Sequence, residues 1–120
     1  MSQTFTQMLG KVREFHDKHN FASKENNGHD MPYRILLTME ELGELAECFT
    51  KGKSNEEKAE ELADILILTF GHAIAMDVDL ERAFNEKMKI IMKRPAIKGD
   101  LGIRITTVSY THLRAHETQR

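Results

Sequence analysis

The sequence predicts an all-α protein, an antiparallel bundle of about four helices whose four-helix core is completed by oligomerisation. Two observations lead to this prediction. Apolar residues recur at helical spacing in four segments separated by polar joints, and one of those segments is apolar around most of its circumference. A chain of 120 residues is long enough for one domain. We expect a single domain over residues 1–107.

The first two helices are separated by a polar loop. The first is predicted over residues 4–20, and the second begins at Pro32, which suits the first turn of a helix because it needs no N–H there. The second helix should end near Phe49, since Gly52 follows and can adopt the left-handed conformation that terminates helices. Its predicted core stripe is Leu36, Met39, Leu42, Leu45 and Phe49.

The third and fourth helices also have clear boundaries. Ser54, followed three residues later by glutamate, forms a capping-box pattern that starts a helix running to about Met76. The fourth helix is predicted over residues 80–93, because Pro95 disfavours helical conformation in the residue before it. Beyond Pro95, the segment LGIRITTV alternates partially, as one short strand would.

The middle of the third helix, ADILILTFGHAIA, must be covered on several sides. Three other helices of one chain can hardly supply that cover. We therefore expect a homodimer or a homotetramer.

The last stretch of the chain, VSYTHLRAHETQR, matches none of these patterns and looks like appended cloning sequence. Residues 108–120 are therefore predicted to be a disordered or artefactual tail.

Composition excludes several classes of function. The formal net charge of −2 argues against binding of bulk nucleic acid, which usually requires a basic face. No apolar run is long enough for a membrane span, and the amino-terminal residues lack the apolar core of a signal peptide. Cys48 is the single cysteine, so no intrachain disulfide can form. These features predict a cytoplasmic protein that makes no contact with membranes.

Two acidic pairs are the most informative feature of the sequence. Glu41 and Glu44 are three residues apart on the second helix, and Glu61 and Asp64 are three apart on the third, so each pair shares a helix face. Gly52, in the joint, lies 11 residues after Glu41 and 12 before Asp64. One residue of mismatch is about 1.5 Å of helix rise. On antiparallel neighbours, the two pairs therefore lie at the same height.

Four carboxylates at one height repel each other unless a cation neutralises them. Apolar residues continue the acidic stripe one helical turn away, at Leu37, Cys48 and Leu68, which favours a cleft rather than a solvated face. Ligands that are all oxygen suit Mg²⁺, with Mn²⁺ as a possible substitute. Solvated acidic faces are the common alternative. A di-iron bundle is a further one, but it would require Glu-x-x-His motifs, which are absent from this sequence.

The segments EELGELAE and EELADILIL, followed by a later KM…KRP segment, resemble the MazG-like all-α nucleoside triphosphate pyrophosphohydrolases over about residues 30–95. The resemblance implies a Mg²⁺-dependent enzyme that hydrolyses a nucleoside or deoxynucleoside triphosphate to the monophosphate and pyrophosphate. It also implies dimers or higher oligomers. By motif position, the metal ligands would be Glu41, Glu44, Glu61 and Asp64, with Glu41 and Glu44 also catalytic. Lys87 and Arg94 would bind the substrate.

Two positions depart from the family pattern. Leu68 stands where many relatives carry an aromatic residue, and Ile91 stands where many carry asparagine. Both positions lie near the nucleotide in relatives, so the preference for base and sugar stays open. Of the histidines, His72 is expected to be packed structurally, and His29 lies in a loop from which it could reach a substrate.

Two other functions remain open at this stage. A non-catalytic helical dimerisation module that regulates a partner would bind metal weakly or not at all. An activity like that of phosphoribosyl-ATP pyrophosphohydrolase would keep the chemistry and change the substrate.

Overall fold

All four predicted helices are present in a computed structural model, which describes residues 2–107. They are α1 (Phe5–Lys18), α2 (Met31–Thr50), α3 (Asn55–Met76) and α4 (Leu80–Ile91), followed by strands β1 (Ala96–Gly99) and β2 (Gly102–Ile105). The chain divides into two compact units, Met1–Asp79 and Leu80–Arg120. The single domain over residues 1–107 stays a prediction, and the predicted tail 108–120 lies outside the described residues.

Helix α3 begins as the sequence predicts. The side chain of Ser54 accepts a hydrogen bond from the backbone N–H of Glu57 at 3.2 Å, which satisfies one of the N–H groups that a helix start leaves without a partner. Gly52 ends the preceding helix with a φ of +63°, in the left-handed region that glycine adopts without strain. This short joint folds α3 back along α2.

Helices α2 and α3 are antiparallel neighbours. The guanidinium of Arg34, early in α2, bonds His72, late in α3. Further along α2, Glu41 offers a carboxylate oxygen that lies within 4.8 Å of one from Glu61, early in α3. Residue numbers therefore increase along α2 in the direction in which they decrease along α3.

Arg34 holds three segments together from a buried position. Its side chain is 3% exposed. Nη1 donates to the carbonyl of Gly28 at 2.9 Å, Nη2 to the carbonyl of Leu68 at 3.2 Å, and Nε to Nδ1 of His72 at 3.0 Å. One guanidinium therefore links the loop before α2 to α3. Burial lowers the pKa of Arg34 below its usual value.

The bonds around His72 determine its tautomer. Nδ1 accepts from Arg34 and so carries no proton, which leaves the proton of the neutral ring on Nε2. Nε2 lies 2.8 Å from Oγ1 of Thr38, and that hydroxyl donates to the carbonyl of Arg34 at 2.9 Å. Burial, followed by the charge of Arg34, lowers the pKa of His72. The prediction of a packed structural histidine is confirmed.

A pair of hydrogen-bonded histidines connects α1 to the loop before α2. Nδ1 of His16, a residue only 3% exposed, lies 2.9 Å from Nε2 of His29 in the loop. Burial, and then the charge of Arg34, lowers the pKa of His16 to about 4. A side chain at Gly71 would overlap Nη2 of Arg34, and its Cβ would lie 2.8 Å from Nε2 of His16. Glycine is therefore required where the guanidinium crosses α3.

Four of the five residues in the predicted core stripe of α2 are exposed in a single chain, so for these four the prediction was wrong in the isolated subunit. The exposed fractions are 61% for Leu36, 61% for Met39, 51% for Leu42 and 63% for Phe49. The buried side chains of α2 are instead Arg34 and Cys48. Phe49 contacts α3 through Lys58, whose Nζ lies 4.3 Å from the centroid of the Phe49 ring.

In the second unit, α4 has no buried residue, and Phe84 is 61% exposed. The two strands form an antiparallel hairpin in which Ala96 pairs with Ile105. One strand was predicted here and two are present. The sequence signal for β1 is weak because the segment AIKG contains one β-branched residue. Among the described residues, no helix combines the length and apolar character that a membrane span requires.

Candidate metal centre and adjoining groove

Three of the four predicted carboxylates meet between α2 and α3. Glu41, Glu61 and Asp64 each offer an oxygen, and these atoms lie within 4.8 Å of one another. The antiparallel pairing of the helices places them so, because Glu41 lies 11 residues before the joint glycine and the other two lie 9 and 12 residues after it. Glu44 is exposed and lies outside this trio.

The surroundings of Glu41 disfavour its charged form. Burial, a side-chain hydrogen bond with Glu61, and the charges of Glu44 and Asp64 together raise the pKa of Glu41 to about 7. Among the described residues, Oε2 of Glu41 and Oε2 of Glu61 are buried without a hydrogen-bond partner. Buried acceptors without a partner are costly. Both atoms are available to a cation.

The chemistry of these donors fits a hard divalent cation. All are carboxylate oxygens, the ligand type that Mg²⁺ and Mn²⁺ prefer. A bound cation would offset the burial and the neighbouring negative charges that raise the pKa of Glu41, and would satisfy both orphaned oxygens. The arrangement can therefore hold a divalent metal.

An open groove of about 440 Å³ adjoins the trio. Its walls are mainly apolar and come from all three helices of the first unit. The lining residues are Val12, Phe15, Leu37, Glu40, Glu41, Asp64, Ile67 and Leu68. Two of the trio line this groove, so a ligand bound to the carboxylates could extend along an apolar surface.

The two basic residues predicted to bind substrate lie in the second compact unit. Lys87 is exposed on α4. Arg94 follows α4, and its Nε is buried without a hydrogen-bond partner among the described residues. Their roles stay predictions. His29, predicted to be within reach of a substrate, instead bonds His16.

Sequence reasoning missed two parts of this region. It did not find the groove wall from α1, although Val12 and Phe15 have the i, i+3 spacing of a helix face. It also missed Arg34, which is one polar residue in an otherwise apolar stretch. An arginine two helical turns before Glu41, on the same face, was the available signal.

Comparison with known proteins agrees with this architecture. Residues 3–89 match the sequence profile of the family described as phosphoribosyl-ATP pyrophosphohydrolase. A solved structure, "Cyanophage S-2L MazG-like pyrophosphohydrolase bound to dGDP and three catalytic Mn2+ ions per active site", is similar with a TM-score of 0.63 and 24% identity. The similarity covers 90% of this chain and 97% of that one. It confirms the predicted all-α fold. No curated protein sequence gave a significant match.

Proposed function

Because the chain belongs to the phosphoribosyl-ATP pyrophosphohydrolase family, of MazG-like all-α fold, we propose that it hydrolyses a nucleoside or deoxynucleoside triphosphate to the monophosphate and pyrophosphate. In this reaction water adds to the α-phosphorus and the bond to the β-phosphate oxygen breaks. The observation that carries the proposal is the trio of carboxylates from α2 and α3, two of which line an apolar groove.

The residues proposed to hold the metal are Glu41, Glu44, Glu61 and Asp64. The orphaned oxygens of Glu41 and Glu61 support the proposal, and so does the raised pKa of Glu41. Mg²⁺ is the proposed ion and Mn²⁺ a substitute; the similar cyanophage protein is described with Mn²⁺. When bound, the metal would neutralise phosphate charge and lower the pKa of a water ligand.

Side chains of the protein would activate the water and bind the nucleoside and the leaving group. Glu41 or Glu44 would orient the attacking water and accept its proton, as a general base does. The apolar wall of the groove, including Phe15 and Leu68, would receive the nucleoside. Lys87 and Arg94 are the proposed cationic partners of the departing pyrophosphate.

The test is pyrophosphate release across a panel of NTPs and dNTPs with Mg²⁺ or Mn²⁺. The matched variants are Asp64→Asn, within the trio, and Glu47→Gln, an exposed carboxylate on α2 that pairs with Lys51. We expect turnover by the wild type and by Glu47→Gln, and a loss of at least about 100-fold in Asp64→Asn. Absence of turnover by the wild type on every nucleotide would contradict the proposal.

A second candidate substrate is phosphoribosyl-ATP, and the matching family profile favours it. Cleavage would again release pyrophosphate. Including this compound in the panel separates the two, because the preferred substrate has the highest kcat/KM. Membership of a pyrophosphohydrolase family favours both enzymes over a non-catalytic dimerisation module.

We further propose that the working unit is a homodimer or a homotetramer. Beside the exposed stripe of α2, α3 exposes Leu62 by 57% and Leu66 by 46%. Large apolar patches on both helices would be a liability in a monomer. A second copy packed there would bury them. Cytoplasmic location and the absence of binding to bulk nucleic acid stay predictions.

A further inference from the structure

The buried polar cluster around Arg34 is not explained by the carboxylate chemistry. Among the described residues, no carboxylate lies within ion-pair distance of its guanidinium, and its three partners are neutral: two carbonyls and an imidazole. Burying an uncompensated charge is unfavourable, and apolar replacement of buried ionic groups is often neutral or stabilising. Stability alone is therefore a weak reason for this arrangement.

The partners of Arg34 lead to the walls of the groove. Leu68 accepts a hydrogen bond from Nη2 through its carbonyl, and its side chain lines the groove. Leu37, another lining residue, lies three positions after Arg34 on α2. The cluster thus lies directly behind the apolar surface contributed by α2 and α3.

The cluster also fixes the wall that α1 contributes. Arg34 bonds Gly28 in the loop, and the adjacent His29 bonds His16 on α1. His16 directly follows Phe15 and lies one turn after Val12, and both of those side chains line the groove. The path from the guanidinium to the α1 wall therefore runs through two hydrogen bonds.

We propose that Arg34, supported by His16, His29 and Gly71, is a positioning residue that sets the width of the groove between α1 and the α2–α3 pair, and thereby the affinity and selectivity for the nucleoside part of the substrate. This inference rests on the proposed function. The described hydrogen bonds of the cluster do not include Glu41, Glu61 or Asp64. A change in the cluster should therefore alter the apolar walls of the groove without removing a hydrogen bond to the trio.

Two variants weaken the cluster in different ways. Arg34→Lys keeps the charge, but its single ammonium nitrogen cannot replace the three guanidinium nitrogens that donate to three separate partners. Gly71→Ala removes no polar group. It adds a methyl group that overlaps Nη2 of Arg34 and must displace the guanidinium. The control is Cys48→Ala, which removes a buried side chain near the far end of α2 and touches neither the cluster nor the groove lining. Melting temperatures place the three variants on one stability scale.

The measurements are KM and kcat over the nucleotide panel, calorimetric binding of a non-hydrolysable triphosphate analogue, and titration with Mn²⁺ alone. We expect both cluster variants to raise KM and the analogue Kd by about tenfold or more and to reduce discrimination between bases. We expect kcat and Mn²⁺ affinity to stay within about threefold of wild type, and Cys48→Ala to lower only the melting temperature.

The proposal is overturned if the cluster variants lose only stability, as Cys48→Ala should, or if they lower kcat or Mn²⁺ affinity at unchanged KM. If the wild type hydrolyses nucleotides normally and the cluster variants give either of these results, this inference alone fails. If the wild type neither binds the analogue nor hydrolyses any nucleotide, the proposed function fails and the inference fails with it.

Discussion

Glu41 on α2 and Glu61 on α3 each offer a carboxylate oxygen within 4.8 Å of the other, and burial, followed by hydrogen bonding to Glu61, raises the pKa of Glu41 to about 7. Two carboxyl groups can bond each other only while one keeps its proton. Near neutral pH the Glu41 carboxyl is therefore about half protonated. A bound cation can neutralise the pair in place of that proton. Metal binding must displace that proton, so metal affinity should fall as the pH drops below about 7.

The variant Glu41→Gln should be more stable than the wild type without metal at pH 8. A carboxyl whose folded pKa is raised begins to oppose folding above its ordinary pKa of 4.5 and does so in full above the raised value of about 7, whereas glutamine carries no charge to oppose it. We expect a gain on the order of 1 kcal/mol after allowance for solvent screening, measured as a higher melting temperature in EDTA. Hydrolysis by this variant should be lost. Normal turnover by the variant at low Mg²⁺ would contradict the proposed site. So would a gain in melting temperature over the wild type that is smaller at pH 8 than at pH 5.

Acid should destabilise the fold through His16. The pKa of His16 is about 4 in the folded chain, below the ordinary 6.5. Between pH 4 and pH 6.5, this residue therefore binds a proton in the unfolded chain but not in the folded chain. The free energy of unfolding should therefore fall as the pH drops from 6.5 to 4, by on the order of 1 kcal/mol after allowance for solvent screening. Denaturant unfolding at several pH values measures this. His16→Gln should flatten the profile, whereas His19→Gln, an exposed residue just after α1, should not. Equal profiles for the two variants would count against a neutral, buried His16.

Leu66→Glu should dissociate the proposed oligomer. Leu66 is 46% exposed and does not line the groove, whereas its neighbour Ile67 does. A charge in an apolar interface is unfavourable, and we expect subunit affinity to weaken at least about tenfold. Light scattering at assay concentration measures the mass, and Leu66→Met is the apolar control. A wild type that is fully active as a monomer would refute the oligomer and leave the carboxylate site intact.

A chain ending at Thr107 should keep the activity and melting temperature of the full sequence. The motivation is the lack of any core pattern in residues 108–120. Pyrophosphate release and thermal unfolding of the two chains provide the comparison. A clear loss in either measurement would show that the last residues are part of the working protein.

The sequence by itself determined the helices and the acidic pairs. Local signals suffice for both: Ser54 and Gly52 mark a helix start and a helix end within a few residues, and spacing from Gly52 sets the heights of Glu41 and Asp64. The structure brings Glu41, Glu61 and Asp64 together, and leaves Glu44, at matched spacing, exposed outside this group.

Only the tertiary structure decided which face of α2 is covered and what lies behind the groove. Periodicity finds the apolar stripe containing Leu36 and Met39, but it does not say whether α3 or a second copy covers that stripe. The cluster of Arg34 joins residues up to 38 positions apart, and no local pattern encodes such contacts. A buried guanidinium depends on distant carbonyls and on the space left by Gly71, which exist only once α3 has folded back onto α2.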